Sequence, residues 1–458
     1  MSLVALILLL CCHFLSGYGM LALFNIRRKA AVAMSLSLLL GVAVASVVPF
    51  GLQLFGIRLT AVTVFLSMGM ACLLLNIRTL LLIRRDGCPR IPLRSFRIRA
   101  YEIPPILLTV FLVFVSVWRC YYMPPTSRDA LSGPEAIAEY ALREHTMINS
   151  FFSVDLSADN NQFKSPFLIS LQLIYKMAGL PFGQVWLSVV FISFTVLLYQ
   201  WMRERLHPVI AGILLVLFTM TPQVYAYTFM ILYDYSNMVF LFLSLYFLFE
   251  YFRSKEDRLL YFAAMLMGIA TYIRSETLVL AAFFLPALLL MQIREKDKPG
   301  KMLYHQVLFM LPSLLAYYIT VQLYIRYYLP VHYDISSLMN EHPGDLHPLA
   351  RRFGEIFSNL LTGEFAIQCW GYFMYIFVAI VVADLLCYRR FSRDARNWLY
   401  AVGVIFACLG LLGFLLPLFD LTNTTKRGLM KLIPLMLFYM ATSGILTRLS
   451  GRITRWQK

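Results

Sequence analysis

The sequence predicts an all-α polytopic membrane protein of about thirteen transmembrane helices, and three observations carry that prediction. Hydrophobic residues make up 60% of the 458 and charged residues only 14%, whereas a soluble domain carries about 25% charged residues. Apolar runs long enough to cross a hydrocarbon core of about 30 Å recur from end to end. The runs lack the two-residue alternation of barrel strands, so each is a helix, which satisfies its own backbone hydrogen bonds in lipid. With a mean hydropathy of +0.71, a soluble globular protein is excluded.

In chain order the spans fall near 2–24, 32–55, 60–83, 102–123, 182–202, 208–228, 234–252, 259–273, 277–293, 304–329, 366–388, 397–418 and 428–447. The first run has no basic segment before it and no small-residue cleavage site after it, so it reads as a span and not as a removed leader. Sidedness follows from the charges of alternate loops. The set at 27–29, 84–99, 203–207, 253–258, 294–301, 389–396 and from 448 onward holds 26 basic and 7 acidic residues, and is expected to be cytoplasmic. The opposite set, Lys431 included, holds 11 basic and 14 acidic. The N-terminus is therefore expected outside and the C-terminus inside.

The net charge of +16 is scattered between the spans, not gathered on one water-facing element, which argues against nucleic acid as a partner. Eight cysteines include no CxxC pair, so neither a disulfide framework nor a zinc site is indicated.

Two outer loops are long, at 124–180 and 330–365. In the first, Ser132-Gly133-Pro134-Glu135 is a capping box with proline in the first turn, opening an amphipathic helix through Ile137, Tyr140 and Ala141. A second helix starts at Ser165-Pro166 and runs about 14 residues, a length that suits lying on a membrane better than crossing it. Two juxtamembrane helices are thus expected.

The residues able to do chemistry sit in these loops and at nearby span ends. Asp129, just after the fourth span, is either a general base or metal ligand, or a loop aspartate paired with Arg128 or Arg119. Asp234 opens the seventh span as an ionisable group at membrane depth, functional by default, or else a helix cap at the favourable dipole end. Its neighbours Tyr225, Tyr227, Tyr233 and Tyr235 form either a sugar-stacking wall or an interfacial aromatic belt. Lys164 precedes a helix start, where ammonium and free backbone N–H groups converge on an anion site. Lys426, Arg427 and Lys431 crowd the outer end of the last span, where cations oppose the helix dipole and one another, a conflict that a bound phosphate resolves. For both basic features the alternative is contact with lipid headgroups. Arg274-Ser275-Glu276 interrupts an apolar run as a turn ion pair or as part of a binding site. His145, His332, His342 and His347 show no close metal-ligand spacing.

Taken together and in this order, these features resemble the GT-C membrane glycosyltransferases, and most nearly the branch containing the protein O-mannosyltransferases and the aminoarabinose transferase of lipid A. The stretch 161–179 resembles that branch's Lys-Pro segment, 231–240 its aspartate at a helix start, 268–278 its Gly-x-x-x-x-Thr-Arg/Lys stretch, and 425–437 its basic segment leading into a Leu-Pro-rich helix. The resemblance covers 102–447. It divides the chain into three extra N-terminal helices with a basic cytoplasmic loop (1–101) and a GT-C-like catalytic module (102–458). Three departures stand out: Arg128-Asp129-Ala130 replaces paired acids, Ser165 follows Lys164 where proline is usual, and the three extra helices have no family counterpart.

The resemblance implies an inverting glycosyltransferase that moves a sugar from a polyprenyl-phosphate donor to a lipid, glycan or protein acceptor. It implies a bacterial inner membrane with the active site facing the periplasm. Asp129 is then the general base. Lys164 and Arg427, with Lys426 or Lys431, hold the leaving phosphate. Asp234 positions acceptor or sugar, or completes a divalent cation site for Mg or Mn, a requirement that the missing second acid leaves open. Arg274, Glu276 and Tyr233 are further binding candidates. Membrane lipids are the remaining partners. The alternatives are a transporter or flippase of lipid-linked saccharides, which should carry ionisable residues at mid-membrane on several spans, and an O-antigen ligase or polymerase, whose long catalytic loop is expected late in the chain.

Overall fold

The computed structural model describes residues 2–86, 99–153, 164–330, 349–388, 391–415 and 424–456, and every regular element among them is helical. The first three helices are α1 (Ser2–Leu23), α2 (Ala30–Leu54) and α3 (Ala61–Asp86). Next come α4 (Ile103–Tyr122), the one-turn α5 (Arg128–Leu131), α6 (Pro134–Glu144), α7 (Pro166–Met177), α8 (Val185–Arg203), α9 (Pro208–Thr219) and α10 (Pro222–Ala226). The remaining half contains α11 (Tyr233–Ser254), α12 (Asp257–Ile273), α13 (Thr277–Arg294) and α14 (Pro299–Tyr317, continued as a wider helix through Tyr328). It closes with α15 (Leu349–Phe357), α16 (Glu364–Trp370), α17 (Phe373–Tyr388), α18 (Arg393–Leu415), α19 (Thr424–Leu429), α20 (Leu432–Thr442) and α21 (Gly444–Trp456).

By length and composition, eight of the described helices can cross a membrane, or ten if two sharply bent pairs each count as one span. This is an integral membrane architecture. The expected count of thirteen does not follow from the helices directly. The stretch 208–228 is not one span, because Pro222 has no N–H to donate and Thr221 before it is extended, so the helix stops at Thr219 and restarts as the short α10. Helix α12 has 17 residues, a turn less than most spans. The pair α16 and α17 bends by 93° at Gly371, whose φ of +56° favours glycine. The pair that ends in α20 and α21 bends by 52° at Ser443, where Asp384 accepts the first N–H groups of α21 from Gly444 (3.2 Å) and Ile445 (2.9 Å).

Helix α11 is the central post. Its residues from Tyr233 to Phe252 are all buried, which suits a helix whose apolar residues are spread over every face. In contrast α3 and α4 show long apolar faces, including Leu73, Leu74, Leu107, Phe111 and Phe114, as lipid-facing helices do.

The structure corrects the reading of the Ser165-Pro166 helix. Among the expected juxtamembrane pair, α6 is amphipathic, burying Ile137, Ala138 and Ala141. Helix α7 instead has every residue from Pro166 to Tyr175 buried. The three N-terminal helices explain this: α2 packs along both α7 and α8, and His13 of α1 meets the Tyr175 hydroxyl at 3.1 Å. The Gln53 side chain, at the end of α2, accepts from the Met147 N–H at 3.0 Å. What length alone marks as a surface helix is a core helix under a lid of α1–α3.

That lid depends on close backbone contact. A Cβ on Gly41 would lie 1.8 Å from the His13 carbonyl oxygen, and one on Gly17 1.8 Å from that of Ser37, so glycine lets α1 and α2 touch. Gly41→Ala is therefore expected to destabilise the protein by about 1–3 kcal/mol. Gly51→Ala, in the same helix but with open space around it, should be neutral or gain up to about 1 kcal/mol from helix propensity. Thermal melting of the two variants in one detergent checks this; equal melting temperatures would refute the close crossing.

Candidate functional site

Each charged candidate is placed by a local device. Asp129 lies in the first turn of α5, whose start is capped by Ser127 accepting the Ala130 N–H. The segment leading to it is tied down by Gln184, which donates to the Met123 carbonyl at 2.5 Å. Lys164 precedes Ser165, the cap of α7. The Ser165 hydroxyl accepts from the Phe167 N–H and donates to the Tyr272 carbonyl at 2.5 Å, and the Tyr233 hydroxyl donates to the Ser165 carbonyl at 2.7 Å. Asp234 stands in the first turn of α11 after the extended Leu232. One turn further, Asn237 donates to the Ala270 carbonyl and the Thr277 hydroxyl, both at 2.8 Å, pinning the turn that carries Arg274 and Glu276 against α11. Arg427 lies on α19, and Lys431 immediately precedes α20.

These residues, scattered over 300 positions of sequence, form one chain of alternating charges. Arg427 Nη1 lies 2.5 Å from Asp129 Oδ2, while its Nε and Nη2 lie 3.1 and 3.0 Å from Asp234 Oδ2. Arg274 Nη1 donates to Asp234 Oδ1, and Arg274 Nε lies 2.7 Å from Glu276 Oε1. Lys431 Nζ ends the chain at 3.1 Å from the same Glu276 oxygen. Lys164 is close enough to Asp129 to be the strongest attractive charge on it. The chain is open at Asp129, whose side chain is 30% exposed, and closed at Asp234 and Lys431, each 1% exposed.

Among the described residues, four cations and three carboxylates gather in this cluster. Burial pushes the Asp129 carboxyl up, but Lys164 and Arg427 outweigh it and hold it below its ordinary range. Burial, reinforced by Arg427 and Arg274 and opposed by Asp129, pushes Lys164 down to about 8.

Asp129, Lys164, Asp234, Arg274, Glu276, Arg427 and Lys431 thus come together. Lys426 belongs to α19, but its side chain lies outside the described residues, as do His332, His342 and His347. Asp129 pairs with neither Arg128 nor Arg119 in the manner weighed from sequence; its partner is Arg427, and Arg119 stacks over Phe229 at 4.4 Å. Tyr233 is buried and acts as a tether for the Lys164 segment, and Tyr235 lies wholly in the core against Phe191. Neither the sugar wall nor the aromatic belt describes that pair. Tyr227, by contrast, lies close enough to Asp234 and Arg427 to feel their field.

Sequence reasoning missed Tyr272, Asn237, Thr277 and Gln184, the groups that hold the charged ones in place. Polar side chains inside otherwise apolar spans are their only signal.

A divalent cation fits poorly here. Among the described residues no three His, Cys, Asp or Glu side chains gather as a metal site, and Asp129, Asp234 and Glu276 already face guanidinium or ammonium groups. In comparison with known proteins, no family model matches the chain, and no curated protein or solved structure matches it.

Proposed function

We propose that the protein is a glycosyltransferase that takes a sugar from a polyprenyl-phosphate donor and passes it to a hydroxyl acceptor at the outer face of the membrane, as its resemblance to the GT-C enzymes implies. The observation that carries this reading is the largely buried cluster in which Arg427 and Lys164 act on the part-exposed carboxylate of Asp129. The two halves of the chemistry need those two things. A leaving phosphate needs fixed cations, which Arg427 and Lys164 supply. An attacking hydroxyl needs a base, which Asp129 supplies by accepting its proton. The hydroxyl oxygen then bonds to the anomeric carbon from the side opposite the phosphate, with inversion. Asp234, Arg274, Glu276 and Lys431 are positioning residues that keep the Arg427 guanidinium in place.

The charge count of the loops supports placing this end of the bundle outside, and the resemblance implies a bacterial inner membrane with that face toward the periplasm. Transport of lipid-linked saccharides is the competing reading; the gathering of charges at helix ends, away from the middle of several spans, favours the enzyme.

The test is transfer by the full-length protein in nanodiscs, offered a panel of polyprenyl-phosphate sugars and pooled envelope acceptors, with Asp129→Asn and Lys164→Ala alongside. Consumption of one donor that vanishes with Asp129→Asn supports the reading. No consumption, with equal lipid-saccharide binding by all three proteins, moves it to transport.

A pH dependence follows from Lys164. Its charge is present below pH 8 and lost as pH rises through about 8. Donor affinity should therefore be flat near pH 7 and weaken above 8, approaching about tenfold per pH unit where binding must take up a proton. Lys164→Arg, which does not deprotonate in this range, should give a flat profile. A wild-type profile unchanged up to pH 9.5 would remove Lys164 from the anion site.

A further inference from the structure

We propose that Asp129 and the donor phosphate are alternative partners of the same edge of the Arg427 guanidinium, so that donor binding releases Asp129 to act as base. The inference rests on the glycosyltransferase reading and adds to it an order of events.

Arg427 serves two carboxylates, and they are not equivalent. Asp234 takes the Nε and Nη2 edge, is 1% exposed, is held from its other oxygen by Arg274, and sits on the first turn of a 22-residue buried helix. Asp129 takes Nη1 alone, is 30% exposed, and sits on a helix of four residues. When an anion arrives, Asp129 is the carboxylate that can leave. A phosphate monoester or diester presents several oxygens in the geometry that a guanidinium edge binds in bidentate fashion, and the Lys164 ammonium is close enough to feel both Asp129 and Arg427.

In the arrangement described, Asp129 is a poor base, because its electron pairs are engaged by Arg427 and its negative charge is stabilised by two cations. Transfer of both cations to a phosphate reverses each condition. The carboxylate loses its partners, gains an anionic neighbour, and its affinity for a proton rises. The balanced step is then as follows. The acceptor O–H gives its proton to Asp129 and its oxygen electron pair to the anomeric carbon. The bond from that carbon to the phosphate oxygen breaks, and its electron pair leaves on the phosphate, which stays on Arg427 and Lys164. The acceptor is activated only when the donor is present.

The test uses the full-length protein in phosphatidylcholine nanodiscs, with farnesyl phosphate as the probe and farnesol and inorganic phosphate as separate arms. Competition has a sign that a supporting ion pair lacks: Asp129→Asn should bind farnesyl phosphate about tenfold more tightly than wild type. The gain should disappear in the Arg427→Gln background, since no shared edge remains. Simple charge repulsion would give the same gain in both backgrounds. Arg427→Lys offers a second background that keeps the charge but not the two-edged fork, and the gain should shrink there too. Independently, farnesyl phosphate should shift an infrared carboxylate band that is missing from Asp129→Asn. Equal or weaker binding by Asp129→Asn, a gain that survives loss of Arg427, or an unmoved carboxylate band would overturn the proposal. Tight binding of farnesol would show recognition of the chain alone and would also overturn it. Binding of inorganic phosphate with the same Asp129 dependence would place the recognition in the phosphate group and support it. Sugar transfer without this cycle would sink the exchange while sparing the glycosyltransferase reading, and the cycle without transfer by any donor would do the reverse.

Discussion

Replacing Asp129 by asparagine should lower sugar transfer by about 10²–10⁴-fold while leaving the protein folded. Asparagine keeps the shape of the side chain and its carbonyl oxygen still accepts from Arg427, so the bundle end stays closed; what is lost is the ability to take a proton. The site is 30% exposed, so the cost in stability should stay within about 1–2 kcal/mol, as for a partly solvated charged hydrogen bond. Turnover measured at saturating donor, with a melting curve on the same sample, separates the two effects. Retention of most of the wild-type turnover would show that Asp129 is not the base. If the loss instead follows the fraction of unfolded protein, Asp129 is a structural residue.

Asp234→Ala should produce the largest loss of stability in the molecule, about 3–5 kcal/mol, the usual penalty for stripping one member from a buried ion pair. Asp234 lies between two guanidiniums, Arg427 and Arg274, and is almost completely enclosed. Without it the two cations face each other in a medium that screens poorly. The cost passes to function, because Arg427 loses the carboxylate that fixes its orientation. Asp234→Asn should fall between, keeping the packing and one acceptor oxygen. Chemical unfolding in detergent or the yield of folded protein in membranes reads out the order wild type, Asn, Ala. An alanine variant as stable as wild type would mean that the charges at this end are solvated and not a coupled network.

Much of the site was legible in the chain. Charged residues are so few among the apolar runs that each one at a span end or helix start stands out, and Asp129, Lys164, Asp234, Arg274, Glu276, Arg427 and Lys431 are all visible in this way. Their pairing was not legible. Arg427 and Asp129 are 298 residues apart, and of the nearer cations that local sequence offers, Arg119 stacks over Phe229 instead. Tyr233 shows the same limit: an aromatic at a span end can face lipid, sugar or a neighbouring helix, and only packing selects the tether to Ser165.

The sequence by itself determined that this is a helical membrane protein, roughly where its helices run, and which few residues are chemically out of place in them. Those are local properties, because the length of an apolar run and the cost of a charge within it depend on the run alone. The tertiary structure decided the rest. It joined charges from five separate segments into one cluster, buried α7 although its length suited a membrane surface, and gave α1–α3 their place as the cover over it. Burial and ion pairing are set by what arrives from elsewhere in the chain, and here the cover over α7 comes from helices that end at Leu23, Leu54 and Asp86, long before Pro166.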